Sequence, residues 1–233
     1  MAQPALQPIS DAGRKIAGFI DHTLLKPEAT EVEVGRICEE ARFYSFAGVC
    51  VNGARIGFVA QLLKGTKVKP VCVIGFPLGA MLTASKADET THVVATGAGE
   101  VDMVLNIGAL KDKRFALVRD DIAAVVRSAS GQPVKVILEC CLLTDEEKVT
   151  ACKLSVDAGA MFVKTSTGFS KSGATIDDVK LMRQTVGPKV GVKAAGGVRD
   201  LATAKAMIEA GATRLGTSSG VVIVTGGEAK GAY

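Results

Sequence analysis

With 233 residues, 48% of them hydrophobic and 26 of them glycine, the chain is long enough to bury one substantial core and is close to the usual length of a single α/β barrel. A net charge of +4 from 28 basic and 24 acidic residues, with no basic run, 4% aromatics and no Trp, argues against a nucleic-acid partner. Six cysteines without metal-ligand spacing, an opening MAQPALQPISDAGRKIAGFI with no basic start before an apolar stretch, and no run of 18 apolar residues predict a reduced, cytoplasmic protein with no membrane span and no bound metal.

A short N-terminal helical cap is expected over about 8–18. Eight strand-like runs follow: FIDHT (19–23), FAGVCV (46–51), KPVCVIGF (69–76), EVDMVLNIG (100–108), VKVILEC (134–140), MFVKTST (161–167), VGVKAAGG (190–197) and TRLGTSS (213–219). Between them apolar residues recur at helical spacing over Glu31–Tyr44, Thr83–Thr96, Lys111–Ala129, Asp145–Asp157, Ile176–Val186 and Leu201–Glu209. Gly97, Gly159 and Gly211 stand where a left-handed helix stop is favoured, and Thr144 with Glu147 fits a capping box. Only the glycine-rich tail, about 226–233, is expected to be loose. The alternation predicts one α/β domain over 1–233 with a parallel sheet. Eight units close as a (β/α)8 TIM barrel; an open doubly wound sheet is the alternative.

Strands of a parallel barrel are buried on both faces and read as apolar runs, so charge within them calls for a reason. Side-chain alternation sends Val101, Met103 and Leu105 outward and Glu100, Asp102, Val104 and Asn106 inward. The same parity turns Lys135, Ile137 and Glu139 inward from the fifth strand, Phe162, Lys164 and Ser166 from the sixth, and Gly191, Lys193 and Ala195 from the seventh. For Lys135 with Glu139 a structural ion pair is the plainer reading. Lys164 and Lys193 stand near the C-terminal ends of adjacent strands, followed by small and hydroxylated residues, where barrel enzymes place their chemistry.

A lysine with an ordinary pKa near 10.4 is neutral about once in 2,500 molecules at pH 7. A second ammonium about 4.5 Å away adds roughly 3.7 kcal/mol of repulsion at an effective dielectric of 20, enough to account for most of the neutralisation a nucleophilic amine needs. One lysine is then the nucleophile and the other its perturber, provided that Asp102 and Glu139 engage mainly the second.

AAGGVRD after the seventh strand and LGTSSG after the eighth lead into helical segments, as phosphate-binding loops of barrels do. Gly196 and Gly197 would let backbone N–H groups approach an anion, Arg199 would add charge, Ser218, Ser219 and Gly220 would add donors, and Gly168 would close the third side. A glycine pair is by itself more often a turn. There is no dinucleotide fingerprint or Walker loop, and His22 and His92 are too far apart for a zinc motif; His22 either lines the pocket mouth or is a structural donor. A lysine amine beside a phosphate anchor, with no cofactor, fits carbonyl chemistry on a sugar phosphate.

The stretches IDHTLLKPEAT (20–30), AGVCVN (47–52), VCVIGFPLG (71–79), EVDMVLNIG (100–108), VKVILE (134–139), FVKTSTGF (162–169), VKAAGGVR (192–199) and GTSSG (216–220) resemble, in order and spacing, the deoxyribose-phosphate aldolases over essentially the whole chain. The resemblance implies reversible cleavage of 2-deoxy-D-ribose 5-phosphate to D-glyceraldehyde 3-phosphate and acetaldehyde. It makes Lys164 the imine-forming residue, Lys193 its perturber and Asp102 a proton relay working with Lys193 through an ordered water. Gly168, Gly196, Gly197, Arg199, Ser218 and Ser219 fall on phosphate-contacting positions, and Asp21 and Thr23 on residues lining the pocket. Tyr233 matches a terminal tyrosine that assists proton transfer at the acetaldehyde carbon, and Cys50 a cysteine that reacts with enal products. A homodimer or homotetramer is implied. The chain departs from the pattern at Gly53, where many members have proline, and at Phe169, where some carry a phosphate-contacting lysine. Two competing readings are another lysine-imine sugar-phosphate aldolase and a non-catalytic sugar-phosphate-binding barrel.

Overall fold

The computed structural model describes residues 6–227. Its helices are α1 (Asp11–Ile16), α2 (Glu31–Tyr44), α3 (Ile56–Leu63), α4 (Thr83–Ala95), α5 (Ile107–Lys111), α6 (Phe115–Ser128), α7 (Asp145–Asp157), α8 (Ile176–Val186), α9 (Leu201–Glu209) and α10 (Gly220–Thr225). Its strands are β1 (Ile20–Thr23), β2 (Gly48–Val51), β3 (Lys69–Ile74), β4 (Glu100–Val104), β5 (Val134–Ile137), β6 (Phe162–Lys164), β7 (Gly191–Ala195) and β8 (Arg214–Thr217). They pair in chain order, all parallel, and β8 closes on β1. The fold is the (β/α)8 barrel, and the open-sheet alternative falls.

Local chemistry sets the ends of the elements. Thr30 with Glu33 and Thr144 with Glu147 form capping boxes, and Thr175 and Asp200 cap α8 and α9; each side chain takes up an N–H that the first helical turn leaves free. Gly97, Gly159 and Gly211 adopt φ of 115°, 89° and 113° just beyond α4, α7 and α9, as their positions predict. Most of the expected strand runs are trimmed at their ends, and Lys111–Ala129 divides between α5, which ends at Lys111, and α6, which starts at Phe115. The fourth strand stops at Val104, because Asn106 accepts from the N–H of Ala109 and starts α5. The run IGFVAQLL, not assigned beforehand, is α3.

The larger core lies between strands and helices and includes Val101, Met103, Val134, Val136, Val163, Val192 and Leu215, the outward parity set. The barrel interior is divided. Leu25, Cys50, Val71 and Val73 form a small apolar wall, while much of the remaining interior is ionic. Phe162 reaches across to Gly191, where an added Cβ would come within 2.1 Å of the ring, so glycine there makes room for the aromatic beneath the charges. Among the described residues no helix is long and apolar enough to cross a membrane.

Candidate active site

Strand register sets the charged side chains side by side: Asp102 is level with Lys135, and Lys164 with Lys193. Asp102 is fully buried and is shared by three amines. Its Oδ1 lies 2.8 Å from Lys135 Nζ, and its Oδ2 lies 2.9 Å from Lys164 Nζ and 2.8 Å from Lys193 Nζ. Lys193 also meets Asp21 Oδ2 at 2.5 Å, and Lys135 meets Glu100 Oε2 at 2.6 Å. Arg214, which parity had not brought into the site, bridges Asp21 Oδ1 at 2.7 Å and Glu100 Oε2 at 2.9 Å. The carboxylates come from β1 and β4 and the cations from β5 to β8. Four cations against three carboxylates leave one positive charge uncompensated within this described cluster.

The two neighbouring lysines are not equivalent. Lys193 is wholly buried and paired to two carboxylates; burial alone would lower its pKa, but Asp102 and Asp21 outweigh burial and hold it well above the usual lysine range. Among the described residues Lys164 pairs only with the shared Asp102 oxygen, and it lines the cleft above the network. Asp21, which the electrostatic argument does not name, engages the second lysine, whereas Asp102 is divided among three and pairs with Lys164 as well, against that argument's condition. Glu139 corrects that argument: among the described residues its carboxylate forms no ion pair with either lysine and is taken up by Thr167. It lies beyond the end of β5, where the backbone turns left-handed. The Lys135–Glu139 pair is therefore replaced by Lys135 with Glu100 and Asp102.

Burial pushes the carboxyl of Asp21 up, but Lys193, Lys135 and Arg214 pull it down to about 2. Asp102 is likewise held well below its usual range, by Lys135, Lys164 and Lys193 against burial. Because these folded-state values lie below the ordinary carboxylate value near 3.9, their stabilisation is complete above about pH 4 and is lost as pH falls towards 2. For Lys193 the sign reverses: its contribution is present below about pH 10 and is lost only in more alkaline solution. Denaturation midpoints should therefore hold between about pH 7 and 5 and drop steeply below about pH 4; a midpoint still level at about pH 2.5 would count against this network.

Above the lysines the cleft is lined by Thr23, Leu25, Thr167, Gly168, Gly196, Gly197, Arg199, Thr217 and Ser218, among others. Gly168, Gly196 and Gly197, which all line the cleft, have φ of 86°, 82° and 79°, conformations that glycine adopts without cost. Their N–H groups donate no hydrogen bond within the described residues. Ala174 N–H donates to the carbonyls of Ala195 and Gly196 at 3.1 and 3.0 Å, tying the loop after β6 to that after β7. Thr217, missed in the sequence, ties β7's loop to β8's: its hydroxyl donates to Val198 O at 2.6 Å and accepts from Ser219 N–H at 2.9 Å.

Five of the seven residues expected at the anion site thus line one cleft with Thr23, and Gly220, packed against His22, Phe46 and Ile20, does not. Nor does Ser219; with His22 and Glu40 it lines a separate outer groove. Asp21 lies beneath the cleft in the ionic network rather than on its wall. His22 points outward, its Nε2 2.7 Å from Glu40 Oε2, which is the structural role. Phe169 packs edge-on against Phe76 at 5.2 Å. Tyr233 lies outside the described residues. No group of three or more His, Cys, Asp or Glu among the described residues is placed to hold a metal ion.

The arrangement is that of an amine-bearing barrel with an anion cradle, and known proteins agree with it. The model of the DeoC/LacD family aldolases matches residues 16–225. The deoxyribose-phosphate aldolase of Streptococcus sanguinis is 60% identical, over 94% of this chain and 100% of its own, and that of a Geobacillus species is 61% identical, over 94% and 98%. Among solved structures, the tetrameric deoxyribose phosphate aldolase from Aeropyrum pernix superposes with a TM-score of 0.85 at 34% identity, covering 91% of this chain and 90% of that one. The chain belongs to the DeoC/LacD aldolase family.

Proposed function

We propose that this chain is a deoxyribose-phosphate aldolase that cleaves 2-deoxy-D-ribose 5-phosphate reversibly through an imine on Lys164. The observation that carries the reading is the position of the Lys164 amine. It lies at the base of a glycine-lined cleft and shares one Asp102 oxygen with a lysine that two carboxylates keep charged.

The Lys164 lone pair adds to the C1 aldehyde of the open-chain sugar, and loss of water gives the imine. Removal of the C3 hydroxyl proton then breaks C2–C3, with the electron pair passing into the imine as an enamine. C3 to C5 leave as glyceraldehyde 3-phosphate. Protonation of the enamine carbon and hydrolysis release acetaldehyde. Asp102, with Lys193, relays these protons through a water. The N–H groups of Gly168, Gly196 and Gly197, which donate no hydrogen bond within the described residues, hold the phosphate with Arg199 and Ser218 and so fix C1 over the amine.

Borohydride reduction in the presence of acetaldehyde tests the reading directly: an ethyl adduct is expected on the peptide carrying Lys164. Pyruvate and dihydroxyacetone should give little or none. A folded protein with no Lys164 adduct would remove the imine mechanism, and an adduct with pyruvate alone would favour another lysine-imine aldolase.

Cys50 is fully buried in the apolar wall, and burial, with Asp102, pushes its thiol up to about 11. The thiolate that attacks enals is therefore scarce at neutral pH. Alkylation at pH 7 followed by peptide mapping should label the partly exposed Cys141 well before Cys50. The reverse order would restore Cys50 as the reactive thiol that the family resemblance suggests. All six cysteines are free, which fits a reducing compartment, and the cytoplasm is the proposed location. Assembly as a homodimer or homotetramer is proposed from the tetrameric Aeropyrum pernix relative.

A further inference from the structure

Glu139 is a buried carboxylate that the chemistry at Lys164 does not use. It follows β5 by two residues and sits in the left-handed region, φ 59° and ψ 61°, where a side chain of this kind is uncommon. It is 3% exposed, and within the described residues both its oxygens are taken by Thr167. Oε2 accepts from the hydroxyl at 2.5 Å and Oε1 from the N–H at 3.2 Å. The same hydroxyl oxygen accepts from the N–H of Phe169 at 3.0 Å. The N–H groups on either side of Gly168 are thereby committed, and Gly168, with its own N–H free within the described residues, lines the cleft.

A negative charge buried beneath an anion cradle would weaken phosphate binding if charge were its only contribution. Its geometry supplies another one. We propose that Glu139 is a positioning residue for phosphate recognition: it clamps the turn from Thr167 to Phe169 so that Gly168 meets the substrate's phosphate, and it thereby sets the preference for the phosphorylated sugar over the free sugar. This role presupposes the aldolase reading above.

The readout is the ratio of kcat/KM for 2-deoxyribose 5-phosphate to that for 2-deoxyribose. Glu139→Ala should lower the ratio about tenfold or more, the loss of a hydrogen bond to a charged acceptor, and chiefly through KM for the phosphorylated sugar. Glu139→Gln, which keeps an acceptor for the Thr167 hydroxyl, should fall between Glu139→Ala and the unaltered protein. Thr167→Val, which removes the hydroxyl and keeps the shape, should match Glu139→Ala. The double variant should be no worse than the poorer single one, because the two residues act as one clamp. If Glu139→Ala fails to fold, Glu139→Gln and Thr167→Val carry the test. An unchanged ratio, equal losses on both sugars or additive losses in the double variant would overturn the proposal. Trapping of acetaldehyde on Lys164, which needs no phosphate, separates the two levels. No adduct in the unaltered protein sinks the aldolase reading, whereas an unchanged ratio with trapping intact sinks the clamp alone.

Discussion

Replacing Lys164 with Met should abolish acetaldehyde trapping and lower kcat/KM for 2-deoxyribose 5-phosphate on the order of 10⁴-fold or more, as expected when a covalent nucleophile is removed. That corresponds to about 5.5 kcal/mol of lost transition-state stabilisation. The fold should survive. Among the described residues Lys164 makes a single ion contact, and its partner Asp102 retains Lys135 and Lys193. Removing one of four cations also brings the described cluster into balance with its three carboxylates. Lys164→Arg sharpens the test, since it keeps a cation near Asp102 but supplies no amine able to form the imine. Both variants should show unaltered circular dichroism. If either retained more than about a tenth of the activity, against the loss expected for a nucleophile, Lys164 would not be the nucleophile.

Asp102→Asn should act on both stability and rate. The carboxylate is wholly buried and faces three amines, and stripping its charge leaves four cations with two carboxylates. Breaking a buried ionic group by removing one partner costs about 3–5 kcal/mol. Loss of the proton relay should lower kcat by about 10²–10⁴-fold. The pH response gives a signature that simple loss of packing would not. In the unaltered protein Lys193 is held above the usual lysine range, so deprotonating it costs stability. With Asn at 102, shedding a proton from the crowded amines relieves repulsion, and stability should rise as pH rises towards about 10, where the parent's stays level. Urea midpoints at several pH values between about 6 and 10 measure this: the parent's should stay level, because the Lys193 contribution is lost only above about pH 10, and a variant midpoint as level as the parent's would contradict the shared role of Asp102.

Much of this was legible in the sequence because parallel strands obey simple parity. Once β-branched runs are spaced by helical segments, the two-residue period places Asp102, Lys135, Lys164 and Lys193 on one face. Charge on a doubly buried strand is a strong signal. The same rule failed where its premise ended. Glu139 was counted as inward, but β5 stops at Ile137 and the backbone turns left-handed at Glu139, so parity no longer applies. Leu105 to Gly108 read as strand because a short apolar run has no period of its own; only the Asn106 cap reveals the helix. Arg214 opens β8, where the next inward position is Gly216, and one arginine followed by a glycine gives no visible alternation. The fully buried pair of Lys86 on α4 and Asp121 on α6, 2.6 Å apart, was not foreseen either, since such residues on helices ordinarily face water.

The distribution of charge along the chain also bears on how the molecule folds. Asp21, Glu100 and Asp102 belong to the first four strands, and Lys135, Lys164, Lys193 and Arg214 to the last four. Each half-barrel on its own would have to dehydrate groups of one sign that repel one another, with no counterion to offset the loss of water. The two halves can bury these groups only in each other's company, which makes ring closure the step that turns mutual repulsion into attraction and discourages any stable half-formed barrel.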